Sequence, residues 1–315
     1  MYVTHGNTNV THDYHFMNKR NLFVLLTATL LTLGACRNSS PQSANNTDEA
    51  TEFFDAESAS EAQGNTNDAY SRTDNANTGK QRNGQPAITQ YELPAPLKNK
   101  PELILRREAY TVSYNKTTRN PNWVAWHLTK SHTYGRYNRE KEIFTEDTSV
   151  GTPRATDDDY YTSRYDRGHM CPAGDNKWSN TAMTESFLFT NVCPQNHGLN
   201  KYEWNDLEML CRDWAREYGS VDIVCGPIYY GQGMQKTIGR NKVWVPDAFF
   251  KVVLCRKGAS KAIGFIYRNE GRKQLMENAV CTVDEVERIT GIDFFPSLKD
   301  DVEERVEAEA TLSRW

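Results

Sequence analysis

From residue 37 to about residue 90 the chain is made almost wholly of Ser, Asn, Thr, Gln, Asp, Glu, Ala and Gly. A segment with so few large apolar side chains cannot bury enough surface to offset the entropy lost on ordering, so it reads as a flexible tether. Any packed core must therefore come from residues 91–315, a length suited to one domain. The 16 Tyr, 12 Phe and 7 Trp of the chain supply the apolar bulk for it. Charge divides along the same line. Residues 37–90 carry eight carboxylates against four basic side chains, so the rest of a chain with formal charge −4 is close to neutral. A polyanion would have to be gripped by locally placed Arg and Lys, because bulk charge offers no help.

Ahead of the tether, Lys19 and Arg20 precede an apolar run at residues 22–33 that has no polar face. This is the pattern of a secretory signal, and it is short for a membrane span. Leu33-Gly34-Ala35-Cys36 resembles a bacterial lipobox, which predicts that residues 1–35 are removed and that lipid on Cys36 anchors the chain to a membrane. Met17 offers an alternative start, which would make residues 1–16 an upstream extension. No acidic cluster follows Cys36 directly, so a periplasm-facing position is preferred over the extracellular side. Six more cysteines follow, an even count that allows disulfides in an oxidising compartment or six buried thiols. No two of them form a CxxC pair, which argues against structural zinc.

Beyond residue 103, short apolar runs alternate with turn residues. Residues 123–128, 221–224, 248–254 and 261–267 read as strands. Residues 181–189 and 201–218 read as helices, the second with Trp204, Leu207, Leu210 and Trp214 at helical spacing. Thr282 is placed to cap a further helix, with Glu285 at the capping-box position. The sum is an α+β domain with a central, mainly antiparallel sheet flanked by helices.

Two segments carry chemistry. One is Asp166-Arg167-Gly168-His169; the other runs from Asn191 through Pro194-Gln195 and Leu199-Asn200 to Trp204 and Leu207-Glu208. A neutral imidazole can take a proton from water, an arginine can pair with phosphate, and an amide oxygen or carboxylate can hold a hard cation. Singly, each has an ordinary structural explanation. His169 could serve a turn, Asp166 and Arg167 a surface ion pair, Asn200 a helix cap, and Glu208 a solvated face. Together they could cleave a phosphodiester.

The ordered series resembles the DNA/RNA non-specific endonucleases of the ββα-metal superfamily, and the similarity runs from about Trp123 to Phe295. It takes in Gly226-Pro227, Val245-Pro246 and Thr282-Val283-Asp284. The resemblance implies the ββα-metal nuclease fold and a Mg²⁺-dependent hydrolase of DNA and RNA, with Mn²⁺ as the substitute and 5′-phosphate products. In that reading His169 is the general base, Asn200 the single direct protein ligand of the metal, Asn191 an orienting residue, and Arg167 a phosphate neighbour. Asp166 braces the loop. Glu208, eight residues beyond Asn200 on what would be one helix, stands a rise of roughly 12 Å away and is expected to reach the metal through water. The family also carries an upstream arginine; of Arg136 and Arg139, Arg139 is taken. A homodimer is left open. Two rivals remain: a phosphodiesterase for small nucleotides, and a lipoprotein that binds nucleic acid or a protein partner on this fold without cutting.

Overall fold

The computed structural model describes residues 90–231 and 233–315. The expected leader, Cys36 and all but the last residue of the expected tether lie outside the described residues. The chain runs β1 (Leu103–Arg106), β2 (Thr111–Asn115), β3 (Asn120–Thr129), α1 (Asp157–Tyr161), β4 (Tyr165–His169), α2 (Asn180–Ser186), β5 (Val192–Asn196), α3 (His197–Lys201), α4 (Glu203–Tyr218) and β6 (Ser220–Ile228). It continues through the small hairpin β7 (Thr237–Ile238) and β8 (Val243–Trp244), then β9 (Ala248–Cys255), β10 (Lys261–Arg268), α5 (Met276–Ala279), β11 (Val280–Cys281), α6 (Val283–Thr290) and α7 (Asp300–Glu307). The fold is α+β, as the sequence pattern indicates.

Seven strands form one antiparallel sheet in the order β1-β2-β3-β6-β9-β10-β11. Each of the four expected strands is present and longer than its apolar run, β6 by five residues through Ile228. β9 is buried at every position, and its register against β6 and β10 sorts alternate side chains to opposite faces. Phe249, Val253 and Cys255 join the core beneath α4. Phe250, Val252 and Leu254 join a second core with Val283, Val286, Phe294 and Val306. An antiparallel sheet usually leaves one face to water; here both faces are covered, which accounts for strands that read as near-continuous apolar runs.

α4 turns Trp204, Leu207, Cys211, Trp214 and Ala215 into the core, each large side chain contributing roughly 1.5–3 kcal/mol by burial. Leu210, expected in that stripe, is only partly buried, and Cys211 takes its place. The helix expected over residues 181–189 stops at Ser186. Phe187 and Phe189 turn inward to pack against Phe144, and Phe189–Asn191 forms a 3-10 turn. Thr282 caps α6 by accepting from the Glu285 N–H at 3.1 Å, but the Glu285 carboxylate turns to Arg288 and completes no capping box. All six described cysteines are free thiols, five of them fully buried in the core, so the disulfides that their number allows do not form.

Phe250, with no exposed surface and its ring 5.4 Å from that of Phe294, anchors the second core. Phe250→Ala is expected to cost about 3–5 kcal/mol, read as a lower urea midpoint with an unchanged slope.

Candidate active site

β4 and β5 form a separate two-stranded antiparallel hairpin, with Gly168 opposite Cys193 and His169 opposite Val192, and α3 follows directly. This ββα unit carries the first chemical segment and the second from Val192 to Asn200, while Trp204 and Glu208 follow on α4. The unit's tightest point is Gly168, where an added Cβ would meet the Gln195 side-chain oxygen at 2.2 Å and the Gln195 Cβ at 2.6 Å. Gln195 is fully buried, so only glycine lets the strands approach this closely.

Asn191 lies behind the cleft and does not line it. Its side chain is fully buried and behaves like an extra rung of the ladder. Oδ1 accepts from the Cys171 N–H at 2.9 Å, and Nδ2 donates to the Cys171 and Ser186 carbonyls at 2.8 Å each. Its backbone carbonyl takes the Met170 N–H at 2.9 Å. The chain just after His169 is thereby fixed on both edges.

His169 is 8% exposed, with its ring 5.0 Å from that of Phe144 and edge-on to Phe187 at 4.8 Å. Nε2 is buried without a hydrogen-bond partner, which leaves Nδ1 as the ring nitrogen able to address solvent. Desolvation, with the positive charge of Arg139 behind it, holds the imidazole pKa down at about 3. The side chain is therefore a neutral proton acceptor through the physiological range.

His169 opens into a cleft of about 470 Å³ that Arg139, Arg167, Asn200 and Glu208 also line. Arg136 stays outside it, its guanidinium donating to the Tyr137 hydroxyl at 3.2 Å. Arg167 lies over the Phe144 and Tyr160 rings and donates to Asp157 Oδ1 at 2.6 Å. Asn200 donates through Nδ2 to Asp166 Oδ2 at 2.9 Å, which fixes the amide and leaves Oδ1 without a protein partner. The same Asp166 oxygen faces His197 Nδ1 at 2.9 Å.

Asn200 and Glu208 do not share a helix. The backbone breaks at Tyr202 (φ −113°, ψ −86°), so α3 and α4 present the two residues separately to one cleft, and a separation reckoned along a single helix does not apply. Half-buried Glu208 makes no hydrogen bond within the described residues. Desolvation pushes its carboxyl up to about 7, against the pull of Lys251 and Arg212.

Beneath the cleft lies a group that sequence reasoning did not single out. Lys251 is fully buried, its Nζ without a hydrogen-bond partner but 4.4 Å from the centre of the Trp204 ring. Desolvation lowers its pKa, yet the neighbouring Cys225, Cys211, Glu208 and Asp175 outweigh that and the net shift is upward, which leaves the ammonium charged. Asp175 in turn accepts from Arg212 at 3.0 Å and from the Trp126 indole at 3.1 Å. The signal was available: one lysine inside the otherwise apolar run of β9.

In charge, the cleft sets Arg139, Arg167, Lys201 and Arg212 against Asp166 and Glu208, a local cationic excess on a near-neutral domain. A roomier cleft of about 620 Å³ sets Glu203, Asp206 and Glu277 against Lys273 and would repel an anion. The arrangement suits a phosphate ester facing a neutral base, arginines and oxygen donors.

Residues 84–301 match the family model for DNA/RNA non-specific endonucleases. The chain is 38% identical over 205 residues to the mitochondrial nuclease EXOG of Danio rerio, covering 60% of each chain. It is 33% identical over 205 residues to mitochondrial endonuclease G of Homo sapiens, covering 61% of this chain and 69% of that protein. It is 35% identical over 210 residues to nuclease C1 of Cunninghamella echinulata var. echinulata, covering 62% and 83%. The match spans 56–60% of the length of the EXOG nucleases. Among solved structures, the crystal structure of the EndoG/EndoGI complex matches with a TM-score of 0.60 and 28% identity, covering 63% of this chain and 89% of that one.

Two consequences are measurable. Below the unfolded-state value near 6.5 the unfolded chain protonates His169 while the folded one does not. The residue therefore subtracts about 1 kcal/mol of stability per pH unit on acidification towards pH 3. Unfolding midpoints between pH 4 and pH 8 should fall less steeply with acid in His169→Asn than in the parent; parallel profiles would contradict the buried neutral imidazole. Gly168→Ala should cost about 1–3 kcal/mol by overpacking against Gln195, measured by thermal unfolding.

Proposed function

The chain belongs to the DNA/RNA non-specific endonuclease family, and from that premise we propose that it hydrolyses the phosphodiester bonds of DNA and RNA by metal-assisted attack of water, without sequence preference. The observation that carries the reading is the pairing of a neutral, buried His169 with an Asn200 whose amide is turned by Asp166 so that its oxygen stays free in the same cleft.

The donor set fits a hard divalent cation. Asn200 offers a neutral amide oxygen and Glu208 a carboxylate without a protein partner, so the residues add little charge and suit an ion that keeps most of its water, as Mg²⁺ does. Asn200 would hold the ion directly and Glu208 through water, with Mn²⁺ as the substitute. When bound, the cation supplies Lewis-acid stabilisation of the charge that gathers on the phosphoryl and leaving oxygens.

The chain's own residues do the rest. His169 takes the proton from the attacking water, and its low basicity keeps it unprotonated until that moment. Arg139 and Arg167 pair with the phosphate, and the hold of Asp157 on Arg167 sets the direction of its guanidinium. Asn191 keeps the peptide after His169 in place and touches no substrate. Departure of the 3′ oxygen leaves a 5′ phosphate. The cleft side chains address phosphate, cation or water, and such contacts hold a strand without reading its bases, which supports activity on both polymers. The leader, the lipobox at Cys36 and the polar tether support an exported enzyme held to a bacterial membrane by lipid, with the domain at residues 91–315 facing the periplasm.

Purified protein with Mg²⁺ is expected to convert supercoiled plasmid to fragments, to degrade RNA, and to leave ends that a 5′-phosphate-dependent ligase accepts. His169→Ala should lower the rate at least about 100-fold while the variant still unfolds in one cooperative transition at pH 8. Failure to cut either polymer, or full activity in the variant, overturns the reading.

A further inference from the structure

On the sheet face away from the cleft, α7 packs against α6, with Val306 fully buried among Val283, Val286 and Phe294. This contact draws the next residue, Glu307, into the joint. Its side chain is 6% exposed, and Oε1 is buried with no hydrogen-bond partner. An unanswered buried carboxylate is among the least favourable groups a folded chain can hold.

The neighbours sharpen the problem. Carboxylate oxygens of Asp284, Glu287 and Glu307 all lie within 4.8 Å of one another. Among the described residues, the one hydrogen bond to a side-chain carboxylate of the trio is from the Phe294 N–H to Glu287 Oε1, at 2.7 Å. The nearby cations are engaged elsewhere. Of the arginines on the two helices, Arg288 is bidentate on Glu285 and Arg305 donates to the Ser260 carbonyl at 3.1 Å. Asp293 and Glu303 add further negative charge. Desolvation, then these carboxylates, push Glu307 up to about 9 and Glu287 up to about 7.

We propose that Asp284, Glu287 and Glu307 form a binding site for a hard divalent cation, Ca²⁺ by preference, that ties helix α7 to helix α6. The donors are all oxygen, with no imidazole or thiolate to favour a softer metal. Three oxygens spread evenly around one Ca²⁺ at 2.3–2.6 Å stand about 4–4.5 Å apart, so a trio lying within 4.8 Å needs at most a small side-chain adjustment; Mg²⁺ would draw them to about 3.6 Å, in a stricter octahedron. The ion would answer the orphaned Glu307 oxygen, displace the proton that burial keeps on that carboxyl, and join the three side chains in a cross-link. Glu307 lies beyond the residues matched by the family model, so the site belongs to this chain's own C-terminal packing.

The test is thermal unfolding of the full protein, stripped with chelator and then titrated with Ca²⁺ alone. The midpoint should rise by roughly 5–10 °C at about a hundredfold excess over the dissociation constant. Glu307→Gln should unfold at neutral pH at close to the temperature of the stripped parent, in which burial already keeps the Glu307 carboxyl protonated, and should lose the Ca²⁺ response. Asp284→Asn should weaken that response. An unchanged parent midpoint on adding Ca²⁺ overturns the proposal. So does a shift that survives in both variants, or one that disappears in Asn200→Ala, which would place the ion in the cleft. Because the readout is unfolding, the result stands apart from whether the protein cuts nucleic acid.

Discussion

Burial of the central sheet on both faces is the constraint from which the rest of the architecture follows. β6, β9 and β10 carry large apolar side chains in both directions, so each face has to be roofed: by α4 on one side, and by α6, α7 and the Phe294–Phe295 turn on the other. A strand enclosed in this way has no place for a charge unless something answers it. Lys251 is the exception in β9, and what answers it is the underside of the cleft: the Trp204 and Trp126 rings, with Glu208 and Asp175 acting over a longer range. The charge balance of the cleft is thus continuous with the packing of the sheet.

The same enclosure sets the chemistry of His169. An imidazole among Phe144 and Phe187 gives up basicity, and in return is not titrated away in mild acid. Glu208 meets the opposite consequence of the same physics, since desolvation raises a carboxyl where it lowers an imidazole. Two groups facing one cleft are thereby driven apart in acidity by environment alone.

Sequence patterning exposed much of this and missed identifiable parts of it. The strands were visible because apolar runs of four to seven residues bounded by turn residues fit a sheet core, and α4 was visible from its Trp204 and Trp214 spacing. The interruption at Tyr202 was not, because neither Gly nor Pro marks it. The Thr282 cap was legible, but the fate of Glu285 was not, since Arg288 one turn on competes for the carboxylate. Asn191 and Gln195 stood out as motif letters, yet only three dimensions show that Asn191 braces the backbone after His169 and that Gln195 fills the space left by Gly168. The trio at Asp284, Glu287 and Glu307 could not be read from sequence at all, because it is assembled by the docking of two helices.

The hydrogen bond between Asn200 and Asp166 has a consequence for how such a site can change. An aspartate at position 200 would be the stronger ligand for a cation, but it has no N–H to give Asp166 and would set two anions against each other where a donor and an acceptor now meet. A stepwise path to tighter metal binding therefore begins with a loss, and both positions would have to change together to escape it. The neutral amide is a local optimum enforced by its neighbour, and in the proposed role it would hold a cation on a loose tether that an anionic strand could tighten.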